Sequence, residues 1–150
     1  MPQSLAAVYV HLVYSAKNRE PLIRPEIEEE LRCYHAGILR ELDSPMLCSN
    51  GTADHVHILL RLGRKASIAE LVEELKKSSS KWIKTKGPQY QNFYWQSGYG
   101  AFSIGQSGIA NLKKYIANQK EHHRKKTFQD EFRAFLAKYE IPYDERYVWD

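Results

Sequence analysis

An α+β domain on a four-stranded antiparallel sheet is the fold class that this 150-residue sequence predicts. Three observations predict it. Strand-like patterning recurs in short stretches, over 6–14, 46–49, 54–62 and 93–104. Between and after them lie longer stretches with apolar residues at helical spacing. The order is strand, helix, strand, strand, helix, strand, the split β-α-β arrangement of a ferredoxin-like sandwich. A further helix and an appended C-terminal helix follow. Such a sheet carries helices on one face and leaves the other free for a ligand or a partner.

The first strand alternates, with Val8, Val10 and Leu12 on one side and Tyr9, His11 and Val13 on the other. A polar loop over 17–21 ends it. Pro25 suits a first helical turn, and Ile27, Leu31, Tyr34, Ile38 and Leu42 carry helix 1 from 25 to 42. Asp43-Ser44-Pro45 breaks it. A short strand over 46–49, an Asn50-Gly51 turn and a return strand over 54–62 form a hairpin. Ser67 and Glu70 form a capping box that opens helix 2. Ile68, Leu71, Leu75 and Trp82 line that helix, which stops before Gly87-Pro88. Ser97-Gly98 interrupts the β-rich stretch 93–104, which predicts a bend or bulge in strand 4. Ser107 is a candidate N-cap for helix 3, with Ile109, Leu112 and Ile116 on its apolar stripe and a fading end near 123–126. Thr127 caps the last helix, whose Phe128, Phe132 and Phe135 lie at core spacing.

No repeat, low-complexity tract or linker divides the chain, so residues 1–150 read as one domain. Hydrophobic residues at 43% suffice for a real core. The net charge of +4 favours an anionic partner. Cys33 and Cys48 form no Cys-x-x-Cys pair and read as small core hydrophobes in a reduced, cytoplasmic setting. No segment approaches the roughly 20 apolar residues that span a membrane. The run from Leu5 to Tyr14 contains His11 and has no basic residues before it, so it reads as a strand and not as a signal peptide.

Two elements carry chemistry. In Asp54-His55-Val56-His57, strand alternation puts both imidazoles on one side, about 7 Å apart along the strand. Val56, Ile58 and Leu60 form the stronger apolar stripe and face the helices, so the histidines point to the open face. There they could converge on one divalent cation through neutral ring nitrogens, or remain a pair of surface histidines. Tyr115 and Gln119, four apart, share a helix face. A phenol with a pKa near 10 becomes a useful nucleophile beside an activating group or a metal that polarises a phosphate. The Gln119 carbonyl oxygen can serve a hard cation. The plain alternative is a packed tyrosine and a solvent-facing glutamine. His122 and His123 with Cys48 do not match zinc-site spacing; in their basic segment they read as phosphate contacts or a solvated helix end.

These residues, with Tyr94 to Phe102, His122-His123-Arg124 and the closing Tyr143 to Tyr147, resemble the IS200/IS605-type single-domain tyrosine transposases, HUH endonucleases that include the REP-associated relatives. The resemblance implies a ferredoxin-like fold and a homodimer whose active sites can be shared between subunits. It also implies Mg2+- or Mn2+-dependent cleavage and rejoining of single-stranded DNA beside hairpins, through a 5′-phosphotyrosine. Position by position, His55 and His57 match the metal ligands, Tyr115 the nucleophile, and Gln119 the helix residue that completes the metal site. Lys17, Arg19, Arg24, Lys81, His122, His123 and Arg124 are candidate DNA contacts. Tyr94, Trp95 and Tyr99 either stack bases or build a core or dimer interface. Two other functions stay open: a non-catalytic module binding single-stranded nucleic acid, and a metal-dependent nuclease using water.

Overall fold

A computed structural model describes residues 2–150. Strands β1 (Tyr9–Ser15), β2 (Met46–Gly51), β3 (His55–Arg61) and β4 (Gly100–Ile104) alternate with helices α1 (Pro25–Glu41) and α2 (Ile68–Lys84) in the predicted order. They form one sheet, β2-β3-β1-β4, antiparallel at every pairing. Helices α3 (Ile109–Ala117), α4 (Gln119–His122) and α5 (Phe128–Lys138) follow. The fold is the expected ferredoxin-like sandwich with an added C-terminal helix. Among the described residues, no helix is long and apolar enough to cross a membrane.

Strand alternation divides the sheet into two differently furnished faces. Val10, Leu12 and Tyr14 of β1 and Val56, Ile58 and Leu60 of β3 pack against Leu31 and Leu39 of α1 and Leu71, Leu75 and Ile83 of α2. The second face, expected to be open, is covered. Leu59 packs against Ile109, Leu112 and Ile116 of α3, while Val13 and Phe102 pack against Phe128, Phe132 and Leu136 of α5. Both late helices are amphipathic, and Val13, Leu59 and Phe102 give their apolar stripes a surface to bury.

Local chemistry sets the boundaries. The Ser67 hydroxyl accepts from the Glu70 N–H at 3.2 Å and the Thr127 hydroxyl from the Asp130 N–H at 3.2 Å, as the capping patterns predict. Val8 lies outside β1 and is exposed. Asn50 and Gly51 belong to β2, and the turn lies over 52–54. Gly51 is needed for close approach: a Cβ there would stand 2.3 Å from the His55 carbonyl oxygen. Helix α3 opens after a 3-10 turn, with Gly108 and not Ser107 at its N-cap. It ends at Ala117, earlier than predicted, because the Asn50 amide donates to the carbonyls of Ile116 and Ala117 at 3.1 Å each. Tyr115 and Gln119 therefore lie on successive helical segments and not on one helix. Cys33 is exposed and Cys48 half-buried, so neither is the core hydrophobe expected.

The break before β4 is tied down from behind. The Lys76 ammonium donates to the carbonyls of Gln96, Ser97 and Gly98 at 2.8, 3.2 and 2.6 Å. Burial pushes its pKa down to about 8. Trp95 is core, its indole N–H donating to Ser79 Oγ at 2.9 Å, whereas Tyr94 is exposed. Near the C-terminus Trp149 sits between the guanidinium groups of Arg19 and Arg133, at 5.5 and 5.0 Å.

His35 of α1 is buried and shares a 3.0 Å hydrogen bond with the Tyr14 hydroxyl. Burial lowers its pKa from 6.5 to about 3. The unfolded chain therefore takes up a proton near pH 6.5 that the native state refuses. His35 contributes its full stability above that pH and loses about 1.4 kcal/mol per pH unit as the pH falls towards 3. Urea unfolding between pH 6.5 and 4.5 should show His35→Gln with a shallower pH slope than the parent, by about one proton.

Candidate active site

The alternation of β3 sends His55, His57 and Leu59 to the face that α3, α4 and α5 cover. Both histidines are fully buried, not open to solvent as the sequence alone suggests. His55 Nδ1–H donates to Asp54 Oδ1 at 2.7 Å, and its Nε2–H to Gln119 Oε1 at 3.2 Å. His57 Nε2–H donates to Glu131 Oε1 at 2.8 Å. His123, directly after α4, donates to the same oxygen at 3.1 Å. The other carboxylate oxygen accepts from the Gln119 amide at 3.2 Å and from the Tyr115 hydroxyl. His122 Nε2 lies 3.3 Å from that hydroxyl.

Glu131 is the centre of this arrangement. Burial alone would raise its pKa, but hydrogen bonds from His123, His55 and His57 hold the carboxyl far below the usual range, so it is an anion. Burial opposes charge on His55, yet the Asp54 and Glu131 carboxylates outweigh it and raise the imidazole to about 9. His57 goes the other way: burial dominates over Glu131 and lowers it to about 4. Tyr115 is pushed up by burial and by the Glu131 charge, so its oxygen holds its proton at neutral pH.

The residues fit a divalent cation. One donor atom each from His55, His57, His123 and Glu131 lies within 4.8 Å of all the others. Imidazole nitrogens with one carboxylate oxygen suit first-row divalent metals. Gln119 turns its amide into the same space.

Tyr115, Gln119, His55 and His57 lie together in this chain, Tyr115 and Gln119 reaching the cluster from successive helical segments. His123, a candidate DNA contact, is a member of the cluster. His122 lines a groove with Tyr115, Lys125 and Lys126. Arg19 lines a second groove with Asp54, His123 and Lys126. Lys17 lies on the same short turn as Arg19. Arg24 precedes α1 and Lys81 lies on α2, both in the layer across the sheet from the cluster, and Arg124 is exposed.

Glu131 is a member of the site that the sequence motifs do not include. Its signal was available: Phe128, Glu131, Phe132 and Phe135 follow the i, i+3, i+4, i+7 spacing of a buried stripe, so a carboxylate occupies a core position. His123 reads from sequence as a phosphate contact, since its spacing fits no zinc pattern and its segment is basic; the break after Ala117 brings it to the cluster.

A family model described as "Transposase IS200 like" matches residues 4–119. The chain belongs to the IS200-like transposase family. The match ends at Gln119, so His123 and Glu131 of this transposase-family chain lie beyond the matched stretch. Comparison with curated proteins finds no match. Two solved structures share its fold. A candidate transposase from Deinococcus radiodurans R1 is 21% identical at a TM-score of 0.62, over 79% of this chain and 98% of that one. A REP-associated tyrosine transposase bound to a REP hairpin is 15% identical at a TM-score of 0.62, over 82% of this chain and 72% of that one.

A cation held by the cluster stabilises the native state by mass action. At a Mn2+ concentration about 100-fold above its Kd, the gain is about 2.7 kcal/mol, which raises Tm by roughly 5–10 °C. Differential scanning fluorimetry after chelator treatment should show this rise in the parent and its loss in Glu131→Gln and His123→Ala. An undiminished shift in both variants would place the cation elsewhere.

Proposed function

We propose that this protein is a transposase that cuts and rejoins single-stranded DNA beside hairpins, with Tyr115 as the nucleophile. The observation that carries the reading is the placement of the Tyr115 hydroxyl: it contacts the Glu131 carboxylate, and its ring lies 5.9 Å from that of His57. A nucleophile, a proton acceptor and a cluster of metal-type donors thus share one buried wall. The hydroxyl oxygen attacks the scissile phosphorus and the phenolic proton passes to Glu131. The bond to the 3′ oxygen breaks and that oxygen takes up the proton from Glu131, leaving a 5′-phosphotyrosine and a free 3′ hydroxyl. Attack by a 3′ hydroxyl on that phosphotyrosine reverses the step and joins strands. The contact of the Tyr115 hydroxyl with the Glu131 carboxylate gives the phenolic proton a path off the nucleophile.

His55, His57, His123 and Glu131 would hold the cation, with Gln119 beside them. A bound Mg2+ or Mn2+ neutralises phosphate charge; three imidazoles favour Mn2+. Arg19, His122 and Lys126, which edge the two grooves, track the phosphates, joined by Lys17 on the same turn as Arg19. The homodimer is carried over from the family resemblance, with each site assembled from one chain.

End-labelled single-stranded hairpin DNA incubated with the protein and Mn2+ should yield a denaturation-resistant protein–DNA band. Tyr115→Phe should abolish both band and cutting, while His57→Ala should remove metal-dependent cutting and leave most hairpin binding. Cutting that persists in Tyr115→Phe without an adduct would replace this reading with a water-using nuclease. Binding of the DNA by the parent with no cutting would leave a binding module.

A further inference from the structure

His11 has no part in the chemistry assigned so far, yet it is 2% exposed in the layer that holds the cluster. In the β1–β3 pairing Val13 stands opposite His57 and His11 opposite Leu59. His11 and His57 are therefore diagonal neighbours on one face, a separation that long side chains bridge. Their rings stack with centroids 5.0 Å apart and planes 24° apart. His11 Nε2 and His57 Nδ1 share a 2.8 Å hydrogen bond. The rings of Phe135 and Phe102 flank His11 at 5.1 and 6.1 Å. The remaining nitrogen of His57, Nε2, faces Glu131.

We propose that His11 is a positioning residue of the metal centre, holding His57 by Nδ1 so that Nε2 is the atom offered to the cation. The proposal rests on the reading of the cluster as a cation site. An imidazole ligates through an unprotonated nitrogen, so a cation that takes the place of the Nε2 proton now shared with Glu131 leaves the ring proton on Nδ1. Inside this enclosed layer that N–H needs an acceptor, and His11 Nε2 is at hydrogen-bond distance. On His55 the same task falls to Asp54 at 2.7 Å and Thr52 at 2.9 Å. The two holders differ with their surroundings. The Asp54 side chain is 32% exposed, where a carboxylate keeps water, whereas position 11 is sealed. A carboxylate at 11 would add a second buried anion beside Glu131; a neutral imidazole holds the ring without one.

The test measures Mn2+ affinity directly, by the electron paramagnetic resonance signal of the free ion, in the full chain without DNA. His11→Phe keeps a ring of similar volume but offers no nitrogen; His11→Gln restores a polar partner. His11→Phe should weaken Mn2+ binding by about 10- to 100-fold, the usual effect of losing an outer partner of a ligand, and His11→Gln should recover most of it. Parental affinity in His11→Phe overturns the proposal. Equal weakening in both variants also overturns it, since packing alone would then be at work. If His11→Phe does not fold, His11→Met against His11→Gln makes the same comparison. A parent chain that binds no Mn2+ refutes the cation reading itself, and the proposal with it, whereas Mn2+ binding without a Tyr115 adduct faults only the nucleophile assignment.

Discussion

A buried anion has to be paired, and much of the second face of this sheet is organised by that constraint. Glu131 is 2% exposed and charged. Leaving such a group with no charged partner costs about 3–5 kcal/mol. Its partners come from β3 (His57), α3 (Tyr115), α4 (Gln119) and the residue after α4 (His123). One carboxylate on α5 thus ties the sheet to three consecutive helical segments.

The two faces of the sheet divide the work. Between the sheet and α1 and α2 lie chiefly aliphatic and aromatic side chains, an arrangement that supplies stability. Between the sheet and α3–α5, Val13, Leu59 and Phe102 surround a polar island made of His11, His55, His57, Gln119 and Glu131. The apolar rim excludes water from the island and so strengthens every electrostatic contact within it. The same exclusion drives His57 and Tyr115 towards their neutral forms, leaving His55 as the protonated member between two carboxylates.

The order of strands and helices along the chain, both capped helices and the side of β3 that carries the histidines are legible in the sequence because each depends on neighbours within a few residues. Ser67 and Thr127 cap the helices their spacing announces, and the alternation through His55-Val56-His57 sets their face. What escaped depends on distant partners. Helix 3 stops where it does because Asn50, on another strand, takes its last carbonyls. That stop redirects the chain and delivers His123 to the cluster. Glu131 shares the core spacing of Phe128, Phe132 and Phe135, but its partners come into view only when α5 is laid on the sheet. The family resemblance supplied Tyr115 and Gln119 but not Glu131, and the matched stretch ends before α5 begins.

The three carbonyls gathered by Lys76 have a consequence for which substitutions this fold accepts. They converge on one nitrogen from successive residues of a bent segment. A tetrahedral ammonium has three N–H bonds that fan out to meet them. A guanidinium presents its donors in a flat fork. Arginine would preserve the charge at 76 and lose the fit, so the position distinguishes between two cations by shape. A replacement that counts as conservative on most surfaces would here unfasten the entry to β4.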